Sequence, residues 1–249
     1  MSMTAPVLEL DVGNSAIKWR LLDGGVRVSG GRLESIAELL LSLPVAVQLA
    51  RIASVADVAR EAAIIEQLRA HGIAALVAKS QRECAGVRNV YQDESRMGVD
   101  RWLAMVAAYQ QFSRASLVID IGSALTIDFV DADGCHLGGY IIPGVPLLSK
   151  ALGLHTGRVR FAEAQSFGLA PGVSTEECVH HGKWLAIIGA VREALTWAQE
   201  YWAEAYDVFI CGGDAMTVMA AFGAQAEGWH YREELVMDGL SYALSARED

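Results

Sequence analysis

Short apolar strands separated by turns and helical periods dominate the first part of the chain. Residues 7–23 predict a strand, a tight turn at residues 13–15 and a returning strand, because β-rich apolar segments flank a Gly-Asn turn. Residues 45–55 predict another strand. The residues after Asp57 have the apolar periodicity of a helix. Asp57 suits the N-cap position of this helix, and Gly72 marks its end. A short strand comes next, and this alternation favours an α/β lobe.

The opening strand–turn–strand pattern recurs in the segment SLVIDIGSALTIDFVDADG. A shift of 109 residues places Asp120 on Asp11 and Gly122 on Gly13, within matching apolar strands. Such a repeat indicates a duplicated fold, in which each half opens with a hairpin ending in Asp-x-Gly.

The boundary between the two halves is predicted close to residue 115. This gives an N-terminal lobe of residues 1–115 and a C-terminal lobe of residues 116–249. Within the second lobe, residues 153–173 are poorly periodic and predict a loop. Helices are expected from Thr175 onward, followed by a buried strand, a Gly-Gly turn and a further helix in YDVFICGGDAMTVMAAF.

Composition and charge narrow the possible partners. Hydrophobic residues make up 53% of the 249 positions, which is enough apolar material for a sizeable core. The formal net charge of -10 creates a field that repels nucleic acid, so no nucleic-acid partner is expected. No apolar run of membrane-spanning length and no secretory signal is visible, so we expect a soluble cytoplasmic protein without a membrane partner.

Cysteine and histidine patterns do not indicate a metal centre. The four cysteines stand far apart without a CxxC pair, which predicts reduced and mostly buried thiols. The six histidines form no metal-binding signature. Any anionic ligand is therefore expected to be held by local donors, by a metal ion that carboxylates position, or by both.

Two common nucleotide-binding motifs are absent. The chain has no GxxxxGK[ST], and no two of its 24 glycines stand two positions apart, which excludes GxGxxG. The segment Asp11-Val12-Gly13-Asn14-Ser15-x-x-Lys18 offers another way to bind phosphate. Its glycine admits an anion to the backbone, Asn14, Ser15 and Lys18 supply donors, and Asp11 tolerates phosphate if a hydrated Mg²⁺ lies between them. The alternative interpretation is an ordinary hairpin turn.

Two further segments combine glycines or charges with a turn. Gly212 and Gly213 follow a buried strand and precede a helix, where a nucleoside can lie against bare backbone; the alternative is a plain strand–helix turn. At the start of another helix, Asp100 and Arg101 follow Gly98. Arg101 can bind a carboxylate or phosphate, and Asp100 can accept the proton of an attacking hydroxyl. The alternative interpretation is an N-cap beside a surface charge.

Taken together, the segments carry a specific resemblance. Two Asp-x-Gly hairpins and a Gly-Gly-Asp turn resemble the acetate kinase, sugar kinase, Hsp70 and actin superfamily, which implies a duplicated actin-like (ribonuclease H-like) two-lobe fold. Within that superfamily the order and spacing resemble the type III pantothenate kinases over nearly the whole chain. The matching motifs are Asp11-x-Gly13-Asn14-Ser15-x-x-Lys18, Gly98-x-Asp100-Arg101, Asp120-x-Gly122-Ser123-Ala124-x-Thr126-x-Asp128 and Gly138-Gly139-x-Ile141-x-Pro143-Gly144.

This resemblance implies an ATP-dependent phosphorylation of pantothenate, the first step of coenzyme A biosynthesis, with Asp100 as general base. It implies that residues 11–18 hold the ATP phosphates and that Asp11 helps to position Mg²⁺. Asp120 would bind a monovalent cation, K⁺ or NH₄⁺, and Ser123 would contact ATP. The pantothenate site would comprise Tyr91, Gly98, Val99, Asp100, Arg101 and, from the partner subunit of a homodimer with its active site at the interface, Thr175.

Three positions depart from the family pattern. Ser123 stands where a threonine is usual and keeps the hydroxyl, so only fine geometry differs. Glu94 replaces a proline four residues before Gly98, which bears on Tyr91. The segment before Thr175 is Val-Ser rather than Lys-Asn, which bears on the partner contact.

Two other functions fit the same residues. One is another kinase of the superfamily that acts on a sugar or a small acid, although Arg101 beside Asp100 favours an acceptor with a carboxylate and a hydroxyl. The other is a non-catalytic regulator built on this fold. The carboxylates that the chemistry needs, Asp11, Asp100 and Asp120, are all present, which argues against the regulator.

Overall fold

A computed structural model describes residues 5–43, 47–155, 161, 167–202 and 204–244. The chain divides into two compact units. The first comprises Met1–Gln111 together with Glu234–Asp249, and the second comprises Phe112–Glu233. No helix of the described ranges combines the length and the apolar character needed to cross a membrane.

The first unit contains a five-stranded sheet in the order β3-β2-β1-β4-β5. β1 pairs antiparallel with β2 and parallel with β4, while β2–β3 is antiparallel and β4–β5 is parallel. A separate two-stranded ladder joins β6 to β7. The strands are β1 (Val7–Val12), β2 (Ile17–Asp23), β3 (Val26–Leu33), β4 (Leu49–Ser54), β5 (Ala74–Val77), β6 (Glu83–Cys84) and β7 (Val87–Arg88).

The second unit repeats this sheet with the order β10-β9-β8-β11-β12. β8 pairs antiparallel with β9 and parallel with β11, β9–β10 is antiparallel, and β11–β12 is parallel. The two sheets therefore share one topology. The strands are β8 (Ser116–Ile121), β9 (Ala124–Val130), β10 (His136–Pro143), β11 (Asp207–Cys211) and β12 (His230–Tyr231).

Helices accompany both sheets. Those of the first unit are α1 (Ala37–Ser42), α2 (Val58–Ala70), α3 (Val99–Phe112, whose last residue belongs to the second unit) and α7 (Leu235–Ala243). Those of the second unit are α4 (Val145–His155), α5 (Thr175–Tyr201) and α6 (Ala215–Phe222). Single 3-10 turns span Glu94–Arg96 and Gly223–Ala226.

The duplicated α/β fold predicted from the repeat is confirmed. β1 ends at Val12 and β8 ends at Ile121, so the two strands keep the offset of 109 residues seen in the sequence. The offset is lost at the following turn, because residues 13–16 separate β1 from β2 whereas only residues 122 and 123 separate β8 from β9. The repeat is therefore a repeat of strand ends, with turns of different length.

Alternation along β1 explains how its two faces pack. Leu8, Leu10 and Val12 are fully buried on one face and belong to a core that also contains Ile64 and Leu68 of α2. In the second unit the corresponding strand β8 joins a core with residues of α5 and α6. Burying such side chains stabilises the fold by about 1.5–3 kcal/mol each.

The opposite face of β1 carries a buried ionic network. The Glu9 carboxylate accepts hydrogen bonds from Arg20 Nε at 2.7 Å and from Arg51 Nη1 at 3.3 Å. Arg20 Nη1 also donates to Asp238 of α7 at 2.6 Å. Burial alone would lower the pKa of Arg20, but the Glu9 and Asp238 carboxylates hold it above its usual value. Glu9 corresponds to Val118 in the repeat, so the network distinguishes the first unit from the second.

The last helix, α7, lies in the first unit and not in the second, where the sequence analysis expected it. The sequence placed residues 116–249 together, whereas α7 packs against β1 and β4 of the first unit. The network around Arg20 and the close contact of Gly239 with the Leu103 backbone of α3 account for this position, since a Cβ at Gly239 would overlap that backbone.

Most of the predicted elements are present. The helix after Asp57 is confirmed as α2, with the Asp57 carboxylate accepting a hydrogen bond from Arg60 N at 2.9 Å and Gly72 at a φ of 74°. The strand expected at residues 45–55 is β4, and residues 45 and 46 lie outside the described residues. The loop expected at residues 153–173 is shortened by α4, and residues 156–160 and 162–166 lie outside the described residues.

Two expectations from the sequence were incomplete: the edge strand β3 was not predicted, and fewer cysteines are buried than expected. The strand β3 is mostly exposed and contains two glycines, so it lacks the alternation that predicts a half-buried strand. All four thiols are free, as expected. Cys84 and Cys211 are buried, Cys135 is half-buried and Cys178 is exposed.

Candidate active site

The carboxyl edge of the first sheet brings several predicted residues together. β1, β4 and β5 are parallel, so their carboxyl ends, at Val12, Ser54 and Val77, lie at one edge. Ligands of α/β proteins bind preferentially at such edges. The turn of residues 13–16 begins there and is closed by a hydrogen bond from Gly13 N to Ala16 O at 3.0 Å.

Asp11 and Lys18 flank this turn. They are directly opposed in the antiparallel β1–β2 register, so their side chains share one face of the sheet. Both are half-buried, while Asn14 and Ser15 at the tip are exposed. The five residues predicted to hold phosphates therefore surround one turn: Asp11, Gly13, Asn14, Ser15 and Lys18.

The donor set at this turn suits a metal ion held through water. Within the described residues there is no cluster of three His, Cys, Asp or Glu side chains that could coordinate a metal directly. Asp11 is a single carboxylate at a strand end, which fits Mg²⁺ that keeps several of its waters and takes its other ligands from phosphate.

A second group of residues adjoins the same edge. Ser80, which follows β5, donates a hydrogen bond from Oγ to Met97 O at 2.9 Å. This bond ties the segment before Gly98 to the carboxyl edge. The helix α3 begins at Val99, which is buried, and its first turn is joined to Gly98 by a hydrogen bond from Trp102 N to Gly98 O at 3.1 Å.

Arg101 is buried at the start of α3, with only 6% of its surface exposed. Its Nη1 donates to Tyr91 Oη at 3.0 Å, and the guanidinium lies 6.0 Å from the centre of the Tyr91 ring. The Asp100 carboxylate accepts a hydrogen bond from Arg101 N at 2.7 Å. Because Arg101 is buried, the alternative interpretation of this residue as a surface charge is wrong. A buried guanidinium requires polar partners, and Tyr91 is one of them.

The departure from the family pattern at Glu94 is compatible with this position of Tyr91. Arg82 Nη2 forms an ion pair with Glu94 at 2.6 Å, and Arg82 Nη1 donates to Tyr91 O at 2.6 Å. Asn89 Oδ1 accepts a hydrogen bond from Tyr91 N at 3.0 Å. The Glu94–Arg82 pair thus supports the backbone of Tyr91 where a proline would have stiffened it.

The second unit forms a comparable edge. The turn between β8 and β9 is closed by a hydrogen bond from Gly122 N to Ala124 O at 2.9 Å. β10 ends beside it, and Gly144 N donates to Ser123 O at 3.0 Å. A Cβ at Gly144 would overlap the carbonyls of Gly122 and Ser123. Gly144 thus allows β10 to pack closely against this turn, a role that the sequence motif alone did not indicate.

Gly212 completes the edge of the second sheet. It has a φ of 93°, and a Cβ there would lie 2.5 Å from Asp120 Oδ1 and still closer to the carbonyl of Ile121. Gly213 is exposed and has open space where a Cβ would be. Asp214 N then donates to Ile121 O at 3.1 Å, and burial raises the pKa of the Asp214 carboxyl. Asp120, Ser123 and the two glycines are therefore gathered at one strand end.

Thr175 is the first residue of α5 and is exposed. Ser174 is the N-cap of that helix, and its Oγ accepts a hydrogen bond from Glu177 N at 3.2 Å. Thr175 borders a groove of about 820 Å³ between α4 and α5, whose walls are mainly apolar and include Leu148 and Leu152. Lys183 also lines this groove.

Comparison with known proteins identifies relatives along nearly the full length of the chain. The family model for type III pantothenate kinase matches residues 7–196. A type III pantothenate kinase of Pseudomonas aeruginosa (strain LESB58) is 43% identical over 249 residues, covering 95% of this chain and 98% of that protein.

Solved structures share the fold at lower identity. A Campylobacter jejuni protein described as a Baf family transcriptional activator has a TM-score of 0.61 at 21% identity, covering 94% of this chain and 95% of that one. A Sinorhizobium meliloti protein described as a 2-dehydro-3-deoxygalactonokinase has a TM-score of 0.55 at 14% identity, covering 94% and 97%. At these identities the likeness concerns the fold alone.

Substitution of the two adjacent glycines should give opposite results. Gly212→Ala forces a methyl group against the Asp120 strand end at a positive φ, and we expect a loss of about 2–4 kcal/mol in the free energy of unfolding. Gly213→Ala, which meets open space, should change it by less than about 0.5 kcal/mol. Urea unfolding followed by circular dichroism measures both. Equal effects of the two substitutions would contradict the close approach described for Gly212.

Proposed function

The chain belongs to the type III pantothenate kinase family, and we propose that it phosphorylates pantothenate with ATP in coenzyme A biosynthesis. The residues that bind the two substrates are proposed at the carboxyl edges of its two sheets. The observation that carries this assignment is the buried Arg101 with Asp100 and Tyr91 around it, in a chain 43% identical to a named member over almost its whole length. ATP and a divalent metal ion are the cofactors that such a kinase requires.

The turn of residues 13–16 is the proposed phosphate site of the first unit. Asn14 and Ser15 are exposed and carry donors for an anion, and Lys18, opposite Asp11 in the hairpin, adds a positive charge. Asp11 positions Mg²⁺ through water. When bound, Mg²⁺ neutralises charge on the phosphate oxygens. In a chain of net charge -10, this local arrangement provides the attraction that the overall field lacks.

The acceptor site is proposed at the start of α3. Arg101 offers a guanidinium that is already desolvated and oriented by Tyr91, which suits the carboxylate of pantothenate. Asp100 is the proposed general base for the primary hydroxyl, held by its hydrogen bond from Arg101 N. Gly98 and Val99 supply backbone beside the substrate, since Gly98 has no side chain to compete with the Asp100 carboxylate.

The second unit is proposed to hold the nucleoside and a monovalent cation. Gly212 and Gly213 present bare backbone after β11, and Ser123 presents a hydroxyl at the neighbouring turn. Asp120 is the proposed ligand of K⁺ or NH₄⁺. A Cβ at residue 212 would lie 2.5 Å from Asp120 Oδ1, so the glycine leaves the space that this carboxylate needs.

A homodimer with its active site at the interface is proposed from the groove beside Thr175. The groove is lined by half-buried leucines next to a polar helix start, a combination typical of surfaces that another protein chain covers. Thr175 would then reach the pantothenate of the partner subunit. Sedimentation equilibrium should give twice the monomer mass of 26.8 kDa, and a monomer at micromolar concentration would contradict the proposal.

The two rival functions predict different behaviour. A sugar has no carboxylate, so a sugar kinase would have no need of the positive charge of the buried Arg101. A non-catalytic regulator would bind its ligand without releasing ADP. The Campylobacter jejuni protein described as a transcriptional activator shares only the fold with this chain, so it lends no support to the regulator.

A coupled ADP-release assay tests the proposed function. With pantothenate, Mg·ATP and K⁺ we expect turnover that falls to background when pantothenate or the monovalent cation is omitted. Turnover with pantothenate but independent of K⁺ and NH₄⁺ would contradict the cation role of Asp120 while leaving the reaction in place. No turnover with pantothenate under any cation would contradict the reaction itself.

Asp100→Asn should reduce kcat by about 10²–10⁴-fold without changing the thermal unfolding midpoint, because a positioned base contributes on that scale. The replacement keeps the size of the side chain and can still accept the hydrogen bond from Arg101 N. Asp133→Asn, at an exposed position in the turn before β10, serves as the matched control and should keep wild-type turnover. Near-normal turnover of Asp100→Asn would rule out Asp100 as the base.

A further inference from the structure

Arg60 connects three segments of the first unit at the carboxyl edge of its sheet. It lies in the first turn of α2, where its backbone N–H is capped by Asp57. Its Nη1 donates to Asn14 O at 2.7 Å, and its Nη2 donates to Glu34 O, just after β3, at 3.3 Å. One guanidinium therefore binds the tip of the phosphate turn and the end of the edge strand at the same time.

The bond to Asn14 O determines which way a neighbouring donor points. In a trans peptide the carbonyl and the following N–H point in opposite directions, and the structure has no cis peptide among the described residues. Because Arg60 holds the Asn14 carbonyl on the side of α2, the Ser15 N–H points away from α2. Asn14 and Ser15 are both exposed, so the peptide between them is accessible to a ligand.

The sequence offered no reason to select Arg60. It falls within a helix of mixed charge, and it carries no motif. Its role becomes visible only when β1 and β4 pair in parallel, because that pairing places the helix after β4 beside the turn after β1. A hydrogen bond from Val55 N to Val12 O at 3.0 Å joins the same two strand ends.

We propose that Arg60 is a positioning residue for the ATP phosphates: it fixes the Asn14–Ser15 peptide so that the Ser15 amide is aimed at the phosphate before ATP binds. This inference rests on the proposed role of residues 11–18 as the phosphate site. A preorganised donor costs no reorganisation at binding, whereas a freely rotating peptide plane must be ordered by the ligand.

The fork of the guanidinium is the feature that matters. Two donors on one planar group match the two carbonyls of Asn14 and Glu34, and a lysine ammonium lacks that planar pair. Replacement by lysine keeps the positive charge near the phosphates but loses the fixed geometry. The lysine variant therefore separates positioning from simple charge attraction.

Calorimetric titration with Mg·AMP-PNP, without pantothenate, measures the effect directly. We expect Arg60→Gln and Arg60→Lys each to weaken binding about tenfold, in line with the loss of a charge-assisted hydrogen bond. In kinetics the KM for ATP should rise by about the same factor, while the KM for pantothenate changes less than about twofold. Arg69→Gln, at an exposed position in the last turn of the same helix, should bind as wild type does.

Each other outcome has a definite meaning. Wild-type affinity in Arg60→Gln overturns the proposal, and so does wild-type affinity in Arg60→Lys, since charge alone would then suffice. Equal increases in both KM values would show a general structural role and would also overturn it. If the wild-type protein bound Mg·AMP-PNP but did not phosphorylate pantothenate, the proposed acceptor would fail while the titration still tested Arg60.

Discussion

Parallel pairing of the central strands is the constraint on which both candidate sites depend. β1 and β4 end at the same edge of the first sheet, and β8 and β11 end at the same edge of the second. The segments that follow two paired strands therefore lie beside each other. The hydrogen bond from Val55 N to Val12 O extends the first pairing by one residue, and Asp214 N, three residues beyond β11, donates to Ile121 O at the end of β8. This pairing places the turn proposed to bind phosphate and the glycines proposed to lie against the nucleoside.

The same pairing leads to different chemistry in the two units. In the first unit a turn of four residues exposes side-chain and backbone donors, and the buried ionic network around Glu9 lies on the same face of the sheet as Asp11 and Lys18. In the second unit the turn has two residues and glycines pack against it so closely that side chains are excluded. This difference in donors is the reason for proposing the phosphates at the first edge and the nucleoside at the second.

Local features of this protein could be predicted from its sequence, and long-range ones could not. The Asp57 cap and the two hairpins depend on neighbouring residues, so periodicity and turn chemistry sufficed for them. The position of α7 depends on Arg20 meeting Asp238, more than 200 residues away, and no local pattern records that contact. Within the site, motif spacing selected Arg101, but its burial against Tyr91 and the role proposed for Arg60 required the fold.

Hydrogen exchange with and without Mg·AMP-PNP tests the central claim most directly, because it reports on each strand end separately. We expect slower amide exchange in peptides covering residues 11–18, 120–126 and 210–216, with little change in the β3 edge strand. Protection confined to other segments, or no protection at these three strand ends, would contradict the assignment of the nucleotide to the carboxyl edges.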